Sequence, residues 1–361
     1  MNKTEADISL QKQSWAARRR VTKPRAVSLP TDRLVDVYPL DPARSLPLVI
    51  TPAVPELSLP DWTRNNREFI EDNLRQNGAL LFRGFRMTGL ADFQEYLDAA
   101  AVELMHYMES ATPRTELSEK VYTSTEFPPN QHISLHNELT YVVTWPMKIW
   151  FMAVTPAETG GETPIADVRR VFERLDDAIK SRFMRKGWML VRNFGDGLGL
   201  PWKTSFHLDD RAEAESYFSR SRIEYEWKDE DRLRTRQVRS AVAQHPKTGE
   251  KVWFNHVAFW HVSSLPAEVR EAMLSVFSED ELPYNTYYGD GSPIEDSIVQ
   301  EIREAYAEET VVFPWRKGDL LMLDNMLVAH GRNPFSGERK VIVAMAEPFF
   351  SGEDIQPEGE E

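Results

Sequence analysis

The chain has 361 residues, and its 57 acidic and 43 basic residues give a formal net charge of -14. This acidic balance argues against nucleic acid or an anionic membrane surface as a partner. The absence of cysteine excludes disulfides, thiolate zinc sites and cysteine nucleophiles. The sequence contains neither a long apolar run nor an apolar N-terminal segment, so it predicts a soluble, cytoplasmic protein.

Three segments differ in composition. Residues 1–45 are basic and weakly periodic, with three consecutive arginines at 18–20, and we expect a solvated N-terminal arm. The alternative is an arm that docks on an acidic partner, such as a carrier protein or a second subunit. Residues 46–350 are predicted to form a single domain, and the acidic tail at 351–361 is expected to be disordered.

Hydrophobic periodicity distinguishes helices from strands within that domain. Apolar positions three or four residues apart predict helices at 65–76, 90–102, 167–186, 266–277 and 297–308. Apolar, β-branched or aromatic runs predict strands at 78–85, 145–152, 188–194 and 341–346. An insertion at about 205–310, between strands of the core, holds most of the remaining aromatic residues.

The segment Ser134–Val143 contains the pair His136 and Glu138. The β-branched and aromatic residues from Thr140 to Thr144 favour a strand there. Residues two apart on a strand point to the same side of the sheet, so the side chains of His136 and Glu138 would face the same bound group. A helical register would instead pair His132 with His136.

This pair is weak when it is considered alone. From 57 acidic residues and 8 histidines among 361 residues, about 1.3 pairs with this spacing are expected by chance, and two occur. The other pair, His207 and Asp209, opens a polar segment that is typical of a helix start. A third candidate ligand, His330, lies at the end of the run Asp319–His330, which is apolar and strand-like and leads into a polar turn. Two imidazoles and one carboxylate make the facial triad of non-haem Fe(II) oxygenases.

Two further motifs accompany the triad. Pro156–Asp167 contains a Gly-Gly-Glu-Thr turn, and Gly331–Val341 contains two arginines. In this order and spacing, the chain from about Gly78 to Pro348 resembles the taurine dioxygenase-like and clavaminate synthase-like branch of the Fe(II)/2-oxoglutarate-dependent oxygenases. It is most similar to members that hydroxylate amino acids, some of them tethered to carrier proteins, in natural-product pathways. The resemblance implies a fold of the α+β class that is mainly β. Its core would be a double-stranded β-helix (jelly roll) with flanking helices and a large insertion.

The resemblance also implies roles for individual residues. Fe(II) would be bound by the triad His136, Glu138 and His330. The distal carboxylate of 2-oxoglutarate would be bound by Thr163 and by Arg339, because a guanidinium fork matches a carboxylate; Lys340 is the adjacent alternative to Arg339.

Candidate substrate contacts are less specific. Asn255 and His256 lie in an aromatic segment that resembles one near the pocket of family members, and the alternative is a structural hydrogen-bonding role. Arg332 would be a loop residue or would face the pocket. The irregular segment Met105–Gln131, which includes Arg114, would form either the substrate mouth or an ordinary surface loop.

The implied reaction uses Fe(II), 2-oxoglutarate and O2 to hydroxylate an unactivated carbon of an amino acid, free or carrier-bound, with release of succinate and CO2. Desaturation or ring closure is the alternative outcome. Glu138 argues against halogenation, since halogenating relatives have a small residue there, and the valines at 341 and 343 argue against a taurine-type sulfonate substrate. A zinc hydrolase with the same ligands and a non-catalytic scaffold protein with the same fold remain the competing classes.

Overall fold

The structure of the protein is a computed structural model that describes residues 34–109, 114–195, 197–229 and 231–351. The first 33 residues of the predicted arm and the tail after residue 351 lie outside the described residues. Among the helices of the described part, none combines the length and the apolar character needed to cross a bilayer.

The described strands, in chain order, are β1 (Val35–Pro39), β2 (Leu48–Pro52), β3 (Ala79–Phe82), β4 (Glu116–Ser118), β5 (Val121–Thr123), β6 (Ile133–His136), β7 (Thr144–Thr155), β8 (Thr159–Gly160), β9 (Ile165–Asp167), β10 (Trp188–Phe194), β11 (Glu224–Trp227), β12 (Leu233–Arg239), β13 (Val242–Gln244), β14 (Lys251–Trp253), β15 (Tyr284–Tyr288), β16 (Thr310–Val311), β17 (Leu320–Asp324), β18 (Val328–Arg332), β19 (Phe335–Ser336) and β20 (Lys340–Phe350). The described α-helices are α1 (Leu59–Asn65), α2 (Arg67–Asn77), α3 (Leu90–Ala100), α4 (Val168–Arg174), α5 (Asp177–Lys186), α6 (Trp202–Phe206), α7 (Arg211–Arg220), α8 (Val257–Trp260), α9 (Ala267–Val276) and α10 (Asp296–Glu309).

Two sheets form the core of the fold. The main sheet has the strand order β1-β2-β3-β17-β7-β20-β5-β4, and the second sheet has the order β16-β9-β18-β6. Apolar side chains of both sheets belong to one buried cluster, and the Phe151 ring of β7 lies 4.9 Å from the His330 ring of β18. Two sheets facing each other in this way form a jelly roll, here without a closed barrel, as the predicted fold requires.

The central strands β3, β17 and β7 of the main sheet are buried on both faces because they are largely apolar. In β17, Leu321 and Leu323 belong to the cluster shared with the second sheet, whereas Leu320 and Met322 belong to the cluster on the opposite face. That outer cluster includes side chains from helices α1, α2 and α3, among them Trp62, Ile70 and Phe93. The helices therefore cover one face of the sheet and leave the other face to the site.

A long segment, 168–309, separates two paired strands of the second sheet. The chain leaves after β9 and returns at β16, which pairs antiparallel with it. In between lie a third sheet with the order β11-β12-β10-β15, the hairpin β13-β14 and helices α4 to α10. The insertion predicted at about 205–310 falls inside this segment.

Two predicted elements are each divided in the structure, so these predictions are wrong in detail. The helix predicted at 167–186 is two helices, because Leu175 is extended and Asp176 caps α5 by accepting from the Ala178 N–H at 2.7 Å. The strand-like run Asp319–His330 is two strands, because Asp324 Oδ1 accepts from two successive N–H groups and makes a turn between β17 and β18.

The strand predicted at Thr140–Thr144 is also wrong for most of its length. Strand β6 ends at His136, and a turn follows in which Leu139 has a φ of 60°, a left-handed conformation that is uncommon for a side chain of this kind. The Val142 N–H donates to the Leu139 carbonyl at 3.2 Å. Glu138 therefore lies in a turn and not on the same strand as His136.

Candidate metal centre

The two histidines of the site lie on neighbouring strands. His136 is the last residue of β6, and it is the direct cross-strand partner of His330 in β18, so the two rings lie 4.5 Å apart. The strands approach closely at Gly331, where a Cβ atom would lie 2.6 Å from the Ile133 carbonyl oxygen. Cross-strand pairing therefore brings together residues that are far apart in the sequence.

Glu138 is placed beside the histidines by Asn325. The Glu138 N–H donates to Asn325 Oδ1 at 2.7 Å, and Asn325 Nδ2 donates to the Glu138 carbonyl at 3.0 Å and to the Pro146 carbonyl at 2.9 Å. Asn137 Nδ2 donates in turn to the Asn325 carbonyl at 2.6 Å. These bonds satisfy the backbone of a buried turn, which would otherwise lose hydrogen bonds to water.

The three candidate ligands form one buried cluster. One ligand atom from each of His136, Glu138 and His330 lies within 4.8 Å of the other two. His136 Nδ1 lies 2.9 Å from the Ser134 carbonyl, which can only accept, so Nδ1 carries the proton and Nε2 has a free lone pair. His330 Nδ1 is buried and has no hydrogen-bond partner among the described residues. This set of donors fits a divalent iron ion.

The charge states of these residues also suit a metal. Burial lowers the pKa of His136 and holds the pKa of His330 well below its ordinary value, so both imidazoles are neutral. Burial opposes ionisation of Glu138, but the adjacent Arg114 guanidinium favours the carboxylate by its charge and its hydrogen bond, and the pKa of Glu138 is lowered. Two neutral rings and one carboxylate are the forms that coordinate metal ions.

Arg114 is the ion-pair partner of Glu138. Its Nη2 donates to Glu138 Oε2 at 2.8 Å, and both side chains are 5% exposed. The guanidinium also lies over the Tyr107 ring, with Cζ 4.3 Å from the ring centroid. The negative charge of Glu138 is thus balanced by the positive charge of the buried Arg114 side chain.

A cavity of about 360 Å³, including its open mouth, lies next to the cluster, and its walls include His136 and His330. Arg339 and Thr163 line the same cavity.

Arg339 is held in place by neutral acceptors. Its Nε donates to the Gly161 carbonyl at 2.9 Å and its Nη1 to Ser124 Oγ at 3.2 Å. Among the described residues no carboxylate oxygen lies within 4.0 Å of it, and burial together with the Arg332 charge lowers the pKa of Arg339 to about 10, against a smaller opposing effect of Glu162. A half-buried cation without a carboxylate partner among the described residues fits a dianion such as 2-oxoglutarate.

Thr163 and Lys340 differ in position. Thr163 is 2% exposed, and its Oγ1 accepts from Trp315 Nε1 at 3.2 Å, which leaves its hydroxyl hydrogen free to donate to a ligand in the cavity. Lys340, the alternative to Arg339, is exposed at the start of β20 and does not line the cavity. The structure therefore favours Arg339 over Lys340.

The three residues predicted to contact substrate, Asn255, His256 and Arg332, lie in different surroundings. Arg332 lines the cavity, but its Nη atoms donate to the carbonyls of Phe127, Pro128 and Gln131 and hold that loop. Asn255 donates to the Ala241 carbonyl and accepts from the Val257 N–H, so its amide is engaged by the backbone. The amide of Asn255 is therefore not available to a substrate, whereas the Nε of Arg332 has no hydrogen-bond partner among the described residues.

The His256 ring packs against the His136 ring. The two ring centroids are 5.5 Å apart, and His256 Nδ1 lies 2.6 Å from Thr140 Oγ1. The Trp260 ring stacks on the His256 ring, with the two ring centroids 6.0 Å apart. The short helix α8 begins directly after His256.

Sequence reasoning missed two residues of the site. Asn325 carries one usable signal, its place in an Asp-Asn turn between two apolar strands. Arg114 was part of an irregular polar segment, and a single arginine there gives no signal of its ion pair with Glu138.

A family model described as "Taurine catabolism dioxygenase TauD, TfdA family" matches residues 36–345. The chain belongs to this family. The dapdiamide synthesis protein DdaC of Enterobacter agglomerans is 40% identical over 288 residues, which cover 80% of this chain and 88% of that protein. A clavaminate synthase-like protein of Arabidopsis thaliana is 30% identical over 323 residues, which cover 84% of this chain and 94% of that protein.

Solved structures give the same fold. PvcB from Pseudomonas aeruginosa superposes with a TM-score of 0.53 at 16% identity, covering 89% of this chain and 94% of that one. A second structure of PvcB, described as an Fe, alpha-ketoglutarate-dependent oxygenase from an isonitrile synthetic pathway, has a TM-score of 0.52 at 16% identity over the same shares. The predicted jelly-roll fold is confirmed. Membership of the family also confirms the predicted enzyme class, a non-haem iron dioxygenase that uses 2-oxoglutarate and O2.

Proposed function

We propose that this dioxygenase hydroxylates an unactivated carbon of an amino acid, free or tethered to a carrier protein, and releases succinate and CO2. The observation that carries the proposal is that one cavity is lined by two members of the buried cluster, His136 and His330, and also by a half-buried Arg339 that has no carboxylate partner among the described residues. Iron and a keto acid dianion would therefore be bound side by side.

Each residue would have a distinct task in this proposal. His136, Glu138 and His330 would hold Fe(II) from one side, leaving positions for 2-oxoglutarate and O2. Arg339 and Thr163 would bind the distal carboxylate of 2-oxoglutarate. When bound, iron and 2-oxoglutarate supply the oxidising power, as oxidative decarboxylation of the keto acid accompanies oxidation of the substrate. The aromatic rings of Phe151 and Phe259, 4.9 and 4.7 Å from the two histidine rings, exclude water from this side of the site.

The substrate class rests on the relatives and on two features of the site. DdaC is named as a synthesis protein of dapdiamide, which supports a role in natural-product biosynthesis. Val343 contributes an apolar wall to the cavity, where an added arginine would suit a sulfonate. Glu138 occupies the position that halide requires in halogenating relatives, so hydroxylation is proposed. Turnover of taurine by the purified enzyme would contradict this assignment.

The test is an anaerobic titration. Fe(II) and then 2-oxoglutarate are added to the metal-free protein, and the weak visible charge-transfer absorption of the chelated keto acid is recorded. We expect the band in the wild type and its loss in Glu138→Ala and His330→Ala. For Arg339→Ala we expect 2-oxoglutarate to bind roughly 10- to 100-fold more weakly, because charge-assisted hydrogen bonds are lost.

Two control variants change the same residue types outside the site. Glu119→Ala and Arg316→Ala alter exposed side chains and should leave the band unchanged. Absence of the band in the wild type, or its persistence in Glu138→Ala, would show that the proposed ligands are wrong. Activity supported by zinc without oxygen would instead indicate the hydrolase.

A further inference from the structure

Arg114 has more hydrogen-bonding capacity than the described residues use. Its Nη2 is bonded to Glu138, while its Nε and Nη1 are buried and have no partner among the described residues. An unsatisfied buried donor is costly, and such groups in native proteins point to a missing ligand, water or ion. The side chain is 5% exposed, so bulk solvent does not satisfy these donors.

The Arg114 side chain lies at the site that holds the candidate iron ligands. Arg114 lines the same cavity as His136, His330 and Arg339. Its guanidinium is fixed in orientation by the Tyr107 ring on one side and by Glu138 at Nη2. Nη2 carries a second hydrogen besides the one donated to Glu138, so together with Nε or Nη1 it forms a pre-oriented fork that can bind a carboxylate with two parallel hydrogen bonds, and the third nitrogen can donate separately.

Metal binding increases the need for an anion at this position. In the structure the Glu138 carboxylate balances the Arg114 charge. A divalent cation held by Glu138 would share that negative charge and add positive charge close to the guanidinium. Arg339, held by Gly161 and Ser124, is the separate cation assigned to the distal carboxylate of 2-oxoglutarate.

We infer that Arg114 binds a carboxylate group of the primary substrate and so positions the substrate beside the iron. This inference rests on the proposed function and narrows its substrate class. A free amino acid or another small carboxylic acid has the group that Arg114 needs. An aminoacyl thioester on a carrier protein lacks the α-carboxylate, so a tethered substrate would satisfy Arg114 only with a second, side-chain carboxylate.

The test uses the full-length protein loaded with Mn(II), which replaces iron without turnover, and with 2-oxoglutarate. The probes are matched pairs, each a free L-amino acid and its carboxamide, which differ only in the carboxylate. Binding is measured by calorimetry and by thermal shift. We expect at least one acid to bind and its amide to bind much more weakly.

Variants at Arg114 then identify the recognising group. In Arg114→Gln, which can still donate to Glu138, we expect the acid to bind roughly 10- to 100-fold more weakly, while the amide is unaffected. Arg114→Lys should recover part of the loss, because it keeps the charge but not the fork. Arg86→Gln, which changes an arginine that is 82% exposed, is the matched control and should behave as the wild type.

The charge-transfer titration with Fe(II) separates this inference from the proposed function. Normal 2-oxoglutarate binding in Arg114→Gln, together with weakened acid binding, supports the inference. An unchanged preference for acids in Arg114→Gln overturns it, as does a wild type that binds no acid better than its amide. A loss of 2-oxoglutarate binding as large as that in Arg339→Ala also overturns it, because the keto acid would then be the anion at Arg114. Failure of the wild type to bind 2-oxoglutarate would instead contradict the proposed function.

Discussion

Asn325 and Glu138 exchange two hydrogen bonds, at 2.7 and 3.0 Å, between the amide side chain of one residue and the backbone of the other. Asn325 is fully buried in the turn between β17 and β18, and Glu138 follows the end of β6. A single amide side chain thus connects the chain segments that carry the candidate metal ligands.

Replacing Asn325 with alanine should therefore weaken both the fold and the metal site. The change removes bonds to the Glu138 N–H and to the carbonyls of Glu138 and Pro146, so we expect a loss of at least about 3 kcal/mol in the free energy of unfolding. We expect metal affinity to fall roughly 10- to 100-fold, as for other residues that orient a ligand. Urea unfolding and Mn(II) titration measure the two effects. Asn73→Ala, which removes one amide bond in helix α2, should leave metal affinity unchanged.

Gly331 should tolerate no side chain. A Cβ atom there would lie 2.6 Å from the Ile133 carbonyl, so Gly331→Ala must push β6 away from β18 and separate His136 from His330. We expect metal affinity to decrease by at least tenfold, measured by Mn(II) titration of the folded variant. Gly89→Ala, where no atom lies within 4 Å of the added Cβ, is the control. Equal affinity in Gly331→Ala and the wild type would show that the strand spacing is not critical.

The buried ion pair between Arg83 and Asp319 should be important for stability. Arg83 donates to both carboxylate oxygens, with Nη2 to Oδ2 at 2.7 Å, and the two side chains are 9% and 1% exposed. Arg83→Met leaves a buried carboxylate without its cation, so we expect a loss of about 3–5 kcal/mol in urea unfolding. Arg86→Met breaks the exposed pair with Glu56 and should change stability by less than about 1 kcal/mol. A small effect of Arg83→Met would mean that water reaches Asp319.

His261 should make the folded protein less stable at acid pH. Burial lowers the pKa of His261 to about 4, from 6.5 in an unfolded chain. Between these values the unfolded chain binds a proton that the folded protein does not, so stability decreases as the pH falls from about 6.5 to about 4, by up to about 3 kcal/mol. Urea unfolding of metal-free wild type and His261→Gln from pH 7 to pH 4.5 measures the difference in slope.

The slope should be smaller in His261→Gln, because one group that charges on unfolding has been removed. His207→Gln changes an exposed histidine and should keep the wild-type slope. Parallel curves for the wild type and His261→Gln would contradict the assignment to His261.

The motif residues were predictable because each lies in a short segment with a distinctive pattern. His136, Glu138, His330, Thr163 and Arg339 were identified from sequence, and the structure brings all five around one cavity or its adjoining cluster. The fold class followed from the same resemblance, since the linear pattern of strands does not determine which strands become neighbours in two sheets.

The remaining features depend on contacts between distant segments. The β-branched residues after Glu138 favour a strand, but the bonds from Asn325 and the left-handed Leu139 impose a turn. The helix break at Leu175 follows from a cap at Asp176 that a continuous apolar pattern conceals. Arg114 becomes informative only when Glu138 is found 2.8 Å away.

The order of strands in the main sheet has a consequence for synthesis of the protein. β17 lies between β3 and β7, and β20 lies between β7 and β5, so β3, β7 and β5 are joined into one sheet only by strands made much later. Such long-range pairing is slow and leaves strand edges exposed in a growing chain. His330 emerges in the same final segment as these strands. The main sheet can therefore close, and the set of three candidate iron ligands can be complete, only after the segment that carries β17, β18 and β20 has been made.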